Sequence, residues 1–177
     1  MSDSLALDVD RISREALRTI AAGPVADRAG LDTERVISVL NDVVAAEVVA
    51  WLRYTRHSVT ARRGDRSAAS DRFDALAERA MRHATAVADR ITQLGGRPNF
   101  DPATLAQRAH TDYSVTDASA LRTLWEQNLQ ATRIVVAAYR SIIGWLGDQD
   151  RQTRELMESL LADERRSEQE LAAQLAP

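Results

Sequence analysis

Residues 83–100 read HATAVADRITQLGGRPNF, and their punctuation decides how the chain is divided. His83, Val87, Ile91 and Leu94 recur at helical spacing, and the pattern stops dead at Gly95-Gly96-Arg97-Pro98. Two glycines followed by a proline end a helix and cannot restart one at once. Working backwards, the same period continues through Ala80, Leu76 and Phe73 to about Ser67, so the spacing predicts one long helix from Ser67 to Leu94.

Outward from this helix the chain falls into further segments. Gly64-Asp65 makes a turn, and before it a second long helix runs back from about Arg63 to a cap at Asp32 or Thr33. A polar stretch ending at Gly30 precedes it. Gly23-Pro24 closes a short amphipathic segment from about Asp8 to Ala22. Downstream, Asp101-Pro102 reads as an N-cap with a first-turn proline, which starts a short helix within a longer connection. Thr116 or Asp117 opens a third long segment that ends near Gly144 to Gly147. The fourth follows the short loop Gly147-Asp148-Gln149-Asp150.

Four helices of about seven turns each would span ~40 Å apiece. Short links make the first two antiparallel and the last two antiparallel, while the long middle connection can carry the chain back along the bundle. The expected fold is all-α: a four-helix bundle with one long crossover between its second and third long helices, plus an N-terminal helix. We divide the chain into an N-terminal helical extension over residues 1–30 and a bundle over residues 31–177.

Composition agrees with this reading. The 177 residues are 45% hydrophobic but only 5% aromatic, so the core must be built from Ala, Val, Leu and Ile, a diet better suited to helices than to sheets. There are 23 basic and 26 acidic residues, every basic one is Arg, and no cysteine is present. The absent cysteines exclude disulfides, zinc-thiolate sites, iron–sulfur clusters and a cysteine nucleophile. A net charge of −3 without a basic block argues against nucleic acid as the main partner. The opening MSDSLALDVD lacks the marks of a secretory signal. The apolar run Val43–Leu52, interrupted by Glu47, is too short to cross a bilayer. No membrane and a cytoplasmic location are the expectations.

The inward stripes carry the chemistry. They read Val36, Leu40, Val43, Glu47, Trp51, Tyr54 in the first long helix and Phe73, Leu76, Ala80, His83, Val87, Ile91, Leu94 in the second. The third gives Leu121, Leu124, Asn128, Thr132, Val135, Tyr139, Ile142, and the fourth Met157, Leu160, Glu164, Ser167, Leu171. Glu47, His83 and Glu164 therefore fall on inward faces of three helices. A buried lone carboxylate must be paired, protonated or bound to a cation, and two carboxylates with an imidazole suit a divalent ion. Each residue also has a plainer reading. His83 taken alone reads first as a satisfied core or boundary histidine. Glu47 reads as a partner of Arg53 or as exposed by a rotated helix, and Glu164 as part of the charged run Asp163-Glu164-Arg165-Arg166.

The stretches VISVLNDVVAAEVVAWLRY (36–54), RHATAVADRITQLGGRPNF (82–100), AYRSIIGWLGDQD (138–150) and LMESLLADE (156–164) together resemble the bacterioferritin and Dps branch of the ferritin-like superfamily. That resemblance implies a di-iron (ferroxidase) centre, built from one Glu on each of two helices and a Glu-x-x-His pair on each of the other two. Glu47 matches the first Glu. The second helix keeps His83 but has Ala80 in place of its Glu; the third has Thr132, or Ala131 with a one-residue gap, in place of Glu; the fourth keeps Glu164 but has Ser167 in place of His.

Half the implied ligands are thus replaced. What survives, Glu47, His83 and Glu164, matches a place for iron or another divalent metal, one per chain. Reduction of dioxygen by two electrons needs two bridged ferrous ions, so ferroxidase activity is expected to be weak or absent, and whether the chain is an enzyme stays open. Met81 matches a position that serves some bacterioferritins as a haem ligand, with an ordinary helix-flank methionine as the alternative. Tyr54 resembles the family's tyrosine beside the iron centre.

The resemblance implies a homo-oligomer, a dimer or a Dps-like shell, with a ferritin-like partner subunit as a further possibility. The chain's end at Pro177 counts against a full-size cage. Two functions compete: an iron-binding protein of iron handling or oxidative protection, and a non-catalytic structural or regulatory subunit without metal. A ferritin-like oxygenase acting on an organic substrate is a third class, disfavoured by the replaced ligands.

Overall fold

A computed structural model describes residues 32–63, 66–111, 113 and 120–176. The N-terminal extension, the Gly64-Asp65 turn and the expected caps Thr116 and Asp117 lie outside the described residues. Five helices are described: α1 (Thr33–Arg62), α2 (Ser67–Gln93), α3 (Pro102–Arg108), α4 (Leu121–Leu146) and α5 (Arg151–Ala173).

Local chemistry sets most of their ends. The Asp32 carboxylate accepts from the Glu34 amide at 3.0 Å, and Asp101 does the same for Ala103 ahead of Pro102. Asp150 caps α5 through the Thr153 amide at 3.0 Å. α2 ends in a Schellman turn, with the Gly95 amide on the Thr92 carbonyl, the Gly96 amide on the Ile91 carbonyl, and Gly95 at φ +82°. α4 begins at Leu121 after Ala120, which offers no side-chain cap.

Contacts between helices fix their directions. Glu47, Tyr54 and His57 of α1 meet Tyr139, Thr132 and Asn128 of α4, so the two run antiparallel. Arg79, His83 and Arg90 of α2 meet Ser167, Glu164 and Thr153 of α5, again antiparallel. Ser58 on Ser70 sets α1 against α2, and Arg133 on Glu168 sets α4 against α5. It follows that α2 and α4 run parallel, which requires the connection between them to climb the bundle.

That connection climbs along α1. The Asn99 amide donates to Asn41 Oδ1 at 2.7 Å, and Arg108 donates to the carbonyls of Asn41 and Asn99. Thr111 then reaches Arg53, more than three turns further on. Under this cover every residue from Val43 to Ala50 is buried, which is why the middle of α1 reads apolar on all sides.

The core forms two apolar clusters. One gathers Val43, Val44, Val48, Val87, Val135, Tyr139, Met157 and Leu160, among others. The second gathers Tyr54, Phe73, Leu76, Ala80, Leu124, Trp125 and Leu171, with Phe73 and Trp125 stacked at 4.1 Å. The ionisable residues of the inward stripes lie where the two meet. No described helix is long and apolar enough to cross a membrane.

Candidate metal centre

The three residues singled out in the sequence come together. Glu47, His83 and Glu164 are all buried, and one donor atom from each lies within 4.8 Å of the others. His83 Nδ1 is 3.2 Å from Glu47 Oε1 and 3.5 Å from Glu164 Oε1. Of its readings, the satisfied core histidine and the ligand describe one geometry here, since every partner is a carboxylate.

Sequence reasoning missed the group that aims the imidazole. His83 Nε2 lies 3.3 Å from Asp163 Oδ2, one residue before Glu164 and only partly exposed. A carboxylate on one ring nitrogen fixes the tautomer and turns the other nitrogen toward a cation, the usual arrangement behind a metal-ligating histidine. Asp163 was invisible because adjacent helical positions differ by about 100°, which placed it off the stripe that Glu164 occupies. The only signal was the pair Asp163-Glu164 itself.

Tyr139 is the second missed participant. It stands on the inward stripe of α4, but nothing in the stripe shows that the antiparallel register brings its hydroxyl to Glu47 Oε1 at 2.5 Å. Burial, together with the charges of Glu47 and Glu164, holds the phenol well above its ordinary range, so it donates and does not ionise.

The site's electrostatics favour a positive charge between the carboxylates. Burial alone disfavours the imidazolium, yet the hydrogen bonds and charges of Glu164 and Glu47 outweigh it and push His83 up to about 10. Burial raises Glu164 and the Glu47 charge raises it further, while His83 and Arg79 pull it down. Nδ1 faces both Glu47 and Glu164, the place where a divalent ion would replace a proton.

The replaced positions are closed by protein contacts. Thr132 Oγ1 is 3.2 Å from the Tyr54 hydroxyl, and burial pushes that phenol up to about 12. Ser167 Oγ accepts from Arg79 Nη1 at 2.6 Å and itself donates to the Asp163 carbonyl at 3.2 Å. Ala80 is buried and offers no donor.

Arg53 does not pair directly with Glu47. Its guanidinium donates to Asn128 Oδ1 at 3.0 Å and Thr111 Oγ1 at 3.2 Å, fully inside the bundle. Asn128 in turn donates to His57 Nδ1 at 2.7 Å, so Arg53, Asn128 and His57 form a buried polar chain further along α1 than Glu47. Met81 is half-buried and packs against the apolar core.

The donor set, two carboxylates with an oriented imidazole, is of the kind that suits a divalent ion. Comparison with known proteins agrees with the architecture. No curated protein matches the sequence. The fold is similar to the bacterioferritin-related protein of Bacteroides fragilis, a dodecameric thioferritin, at TM-score 0.77 and 26% identity, covering 90% of this chain and 91% of that one. It is similar to the bacterioferritin of Mycobacterium tuberculosis at TM-score 0.71 and 26% identity, covering 83% and 87%. Dps from Thermosynechococcus elongatus shares the fold at TM-score 0.76 and 18% identity, covering 92% and 96%. The family model for the ferritin-like domain matches residues 37–176, and the chain belongs to that family.

Proposed function

We propose that the chain is a ferritin-like protein that binds one divalent ion, iron in the first place, at Glu47, His83 and Glu164. The observation that carries this reading is the imidazole held between two buried carboxylates with Asp163 behind it. Glu47 and Glu164 supply charge and His83 Nδ1 the nitrogen donor. Tyr139 holds one oxygen of Glu47 in place. Bound iron would supply one-electron redox chemistry, and a single ferrous ion gives one electron where peroxide formation from dioxygen takes two. Ferroxidase activity is therefore weak or absent, and the role is iron handling or oxidative protection without rapid turnover.

The test is metal content per chain after anaerobic loading with ferrous iron and desalting. One ion per chain, lost in His83→Ala with helicity retained, supports the reading. An empty wild-type chain overturns it.

A second reading has its own observation. With Nδ1 protonated, His83 already compensates the buried carboxylates, so the bundle closes without metal. On that reading the chain is a structural or regulatory subunit, and an empty wild-type chain that co-assembles with a ferritin-like partner is its signature. For Met81 we favour core packing over haem ligation, because its side chain is already engaged with the apolar core; a Soret band on haemin titration, lost in Met81→Leu, would reverse that. A homo-oligomer is proposed on the likeness to the dodecameric B. fragilis protein, with sedimentation of the purified chain as its test.

A further inference from the structure

Arg79 borders the three donor residues without being one of them. It sits on α2 one turn before His83, with its guanidinium largely covered. Nη1 donates to Ser167 at 2.6 Å, and Nη2 lies 3.6 Å from Glu170. Ser167 stands three residues after Glu164, where a Glu-x-x-His pair would place its histidine. A positive charge therefore occupies the end of the site at which a second ion would need a nitrogen donor. Ala80, beside it in sequence, is too short to bridge toward that end.

The geometry points to Arg79 as a built-in cation that fills the second half of the centre and limits it to one divalent ion. This inference rests on the single-ion reading. A fixed positive charge one turn from the carboxylates does two things. It compensates part of their charge when no metal is present, and it repels any divalent ion that approaches. Ser167 makes this arrangement possible: a hydroxyl accepts the guanidinium hydrogen bond, whereas a histidine at that position would compete with Arg79 for the space.

Cobalt(II) serves as the probe, titrated calorimetrically into the full chain. Arg79→Met should tighten binding at the single site about tenfold, and Arg79→Lys, which keeps the charge, should stay within about threefold of wild type. Metal-free Arg79→Met should melt at lower temperature, and saturating Co(II) should remove that deficit. A residue that only packs would leave the deficit in place. Unchanged or weaker Co(II) binding in Arg79→Met overturns the inference.

A second pair of chains reads stoichiometry. Ala80→Glu, Thr132→Glu and Ser167→His together restore the donors; with Arg79 retained the chain should take one Co(II), and with Arg79→Met added it should take two. Two ions with Arg79 retained would also overturn it. If wild type binds no Co(II), the single-ion reading fails, while the restored pair still decides the role of Arg79. If the restored chains do not fold, the single variants decide.

Discussion

The Tyr139 hydroxyl donates to Oε1 of Glu47, the same oxygen that faces His83 Nδ1. One carboxylate oxygen thus serves both a neutral donor from α4 and the imidazole from α2, and its orientation is fixed from two sides. Tyr139→Phe removes only the hydroxyl. The expected cost is about 1–3 kcal/mol of stability, because a buried acceptor loses a partner. Metal affinity should fall about tenfold, as when an orienting group behind a ligand is lost. Thermal unfolding and a Co(II) titration check the two halves separately.

Asp163→Asn tests the carboxylate behind the histidine. The amide keeps the shape but loses the charge that orients His83 Nε2–H. Co(II) affinity should drop about 10–100-fold, with stability little changed because Asp163 is partly exposed. Affinity equal to wild type would show that Asp163 is only a surface neighbour.

Acid sensitivity should trace to two histidines, His57 and His110, the second also lowered by burial to about 4; the test falls on His57. Burial and the charges of Arg53 and Arg56 lower its pKa from 6.5 to about 4. The folded state therefore holds fewer protons than the unfolded chain between those values. Stability from the neutral ring is complete above about pH 6.5 and is lost as pH falls toward 4. Asp42 acts in the opposite sense: burial raises it from 3.8 to about 6 against the pull of Arg108 and Arg35, so its contribution fades as pH rises. His57→Gln keeps an acceptor for Asn128 and cannot titrate. Its unfolding free energy should fall less steeply with acid than wild type, by up to about 1.4 kcal/mol per pH unit. Parallel profiles for the two proteins would remove His57 from the account.

Two glycines should respond with opposite signs. A Cβ at Gly96 would lie 2.8 Å from Ile37 Cγ2, with two further carbons of that side chain within 3.0 Å. Gly96→Ala should therefore cost about 1–3 kcal/mol. At Gly144, inside α4, an added Cβ meets nothing within 4 Å. Gly144→Ala should stabilise the helix by about 0.5–1 kcal/mol. Melting temperatures of the two variants should move apart.

Much of this was readable in the sequence, and the gaps have physical causes. The ends of α1, α2 and α3 follow from Asp32, Gly95-Gly96 and Asp101-Pro102, because caps and stops are local chemistry. α4 is described from Leu121 with Ala120 at its N-cap, which carries no capping side chain, so no local signal marks that end. The convergence of Glu47, His83 and Glu164 was legible because all three lie on inward stripes at helical spacing. Tyr139 was on its stripe too, but its partner depends on inter-helix register, which no single helix encodes. Arg79 and Asp163 border their stripes and enter the site through side-chain reach. Arg53 and His57 show the same limit, since α1 is buried far beyond one stripe once the connection covers it.

The parallel course of α2 and α4 has a consequence for assembly. Glu47 and His83 belong to the first hairpin, while Tyr139, Asp163 and Glu164 belong to the second. Each hairpin is made of contacts close in sequence and can form early; the two meet only after the connection has run up α1, which is the costly, long-range step. The donor set exists in neither hairpin alone. A cation held by it would grip the docked pair and not the separated one, shifting the balance by mass action. The centre would then act as a clasp between two half-proteins, the last part to form and the first to let go.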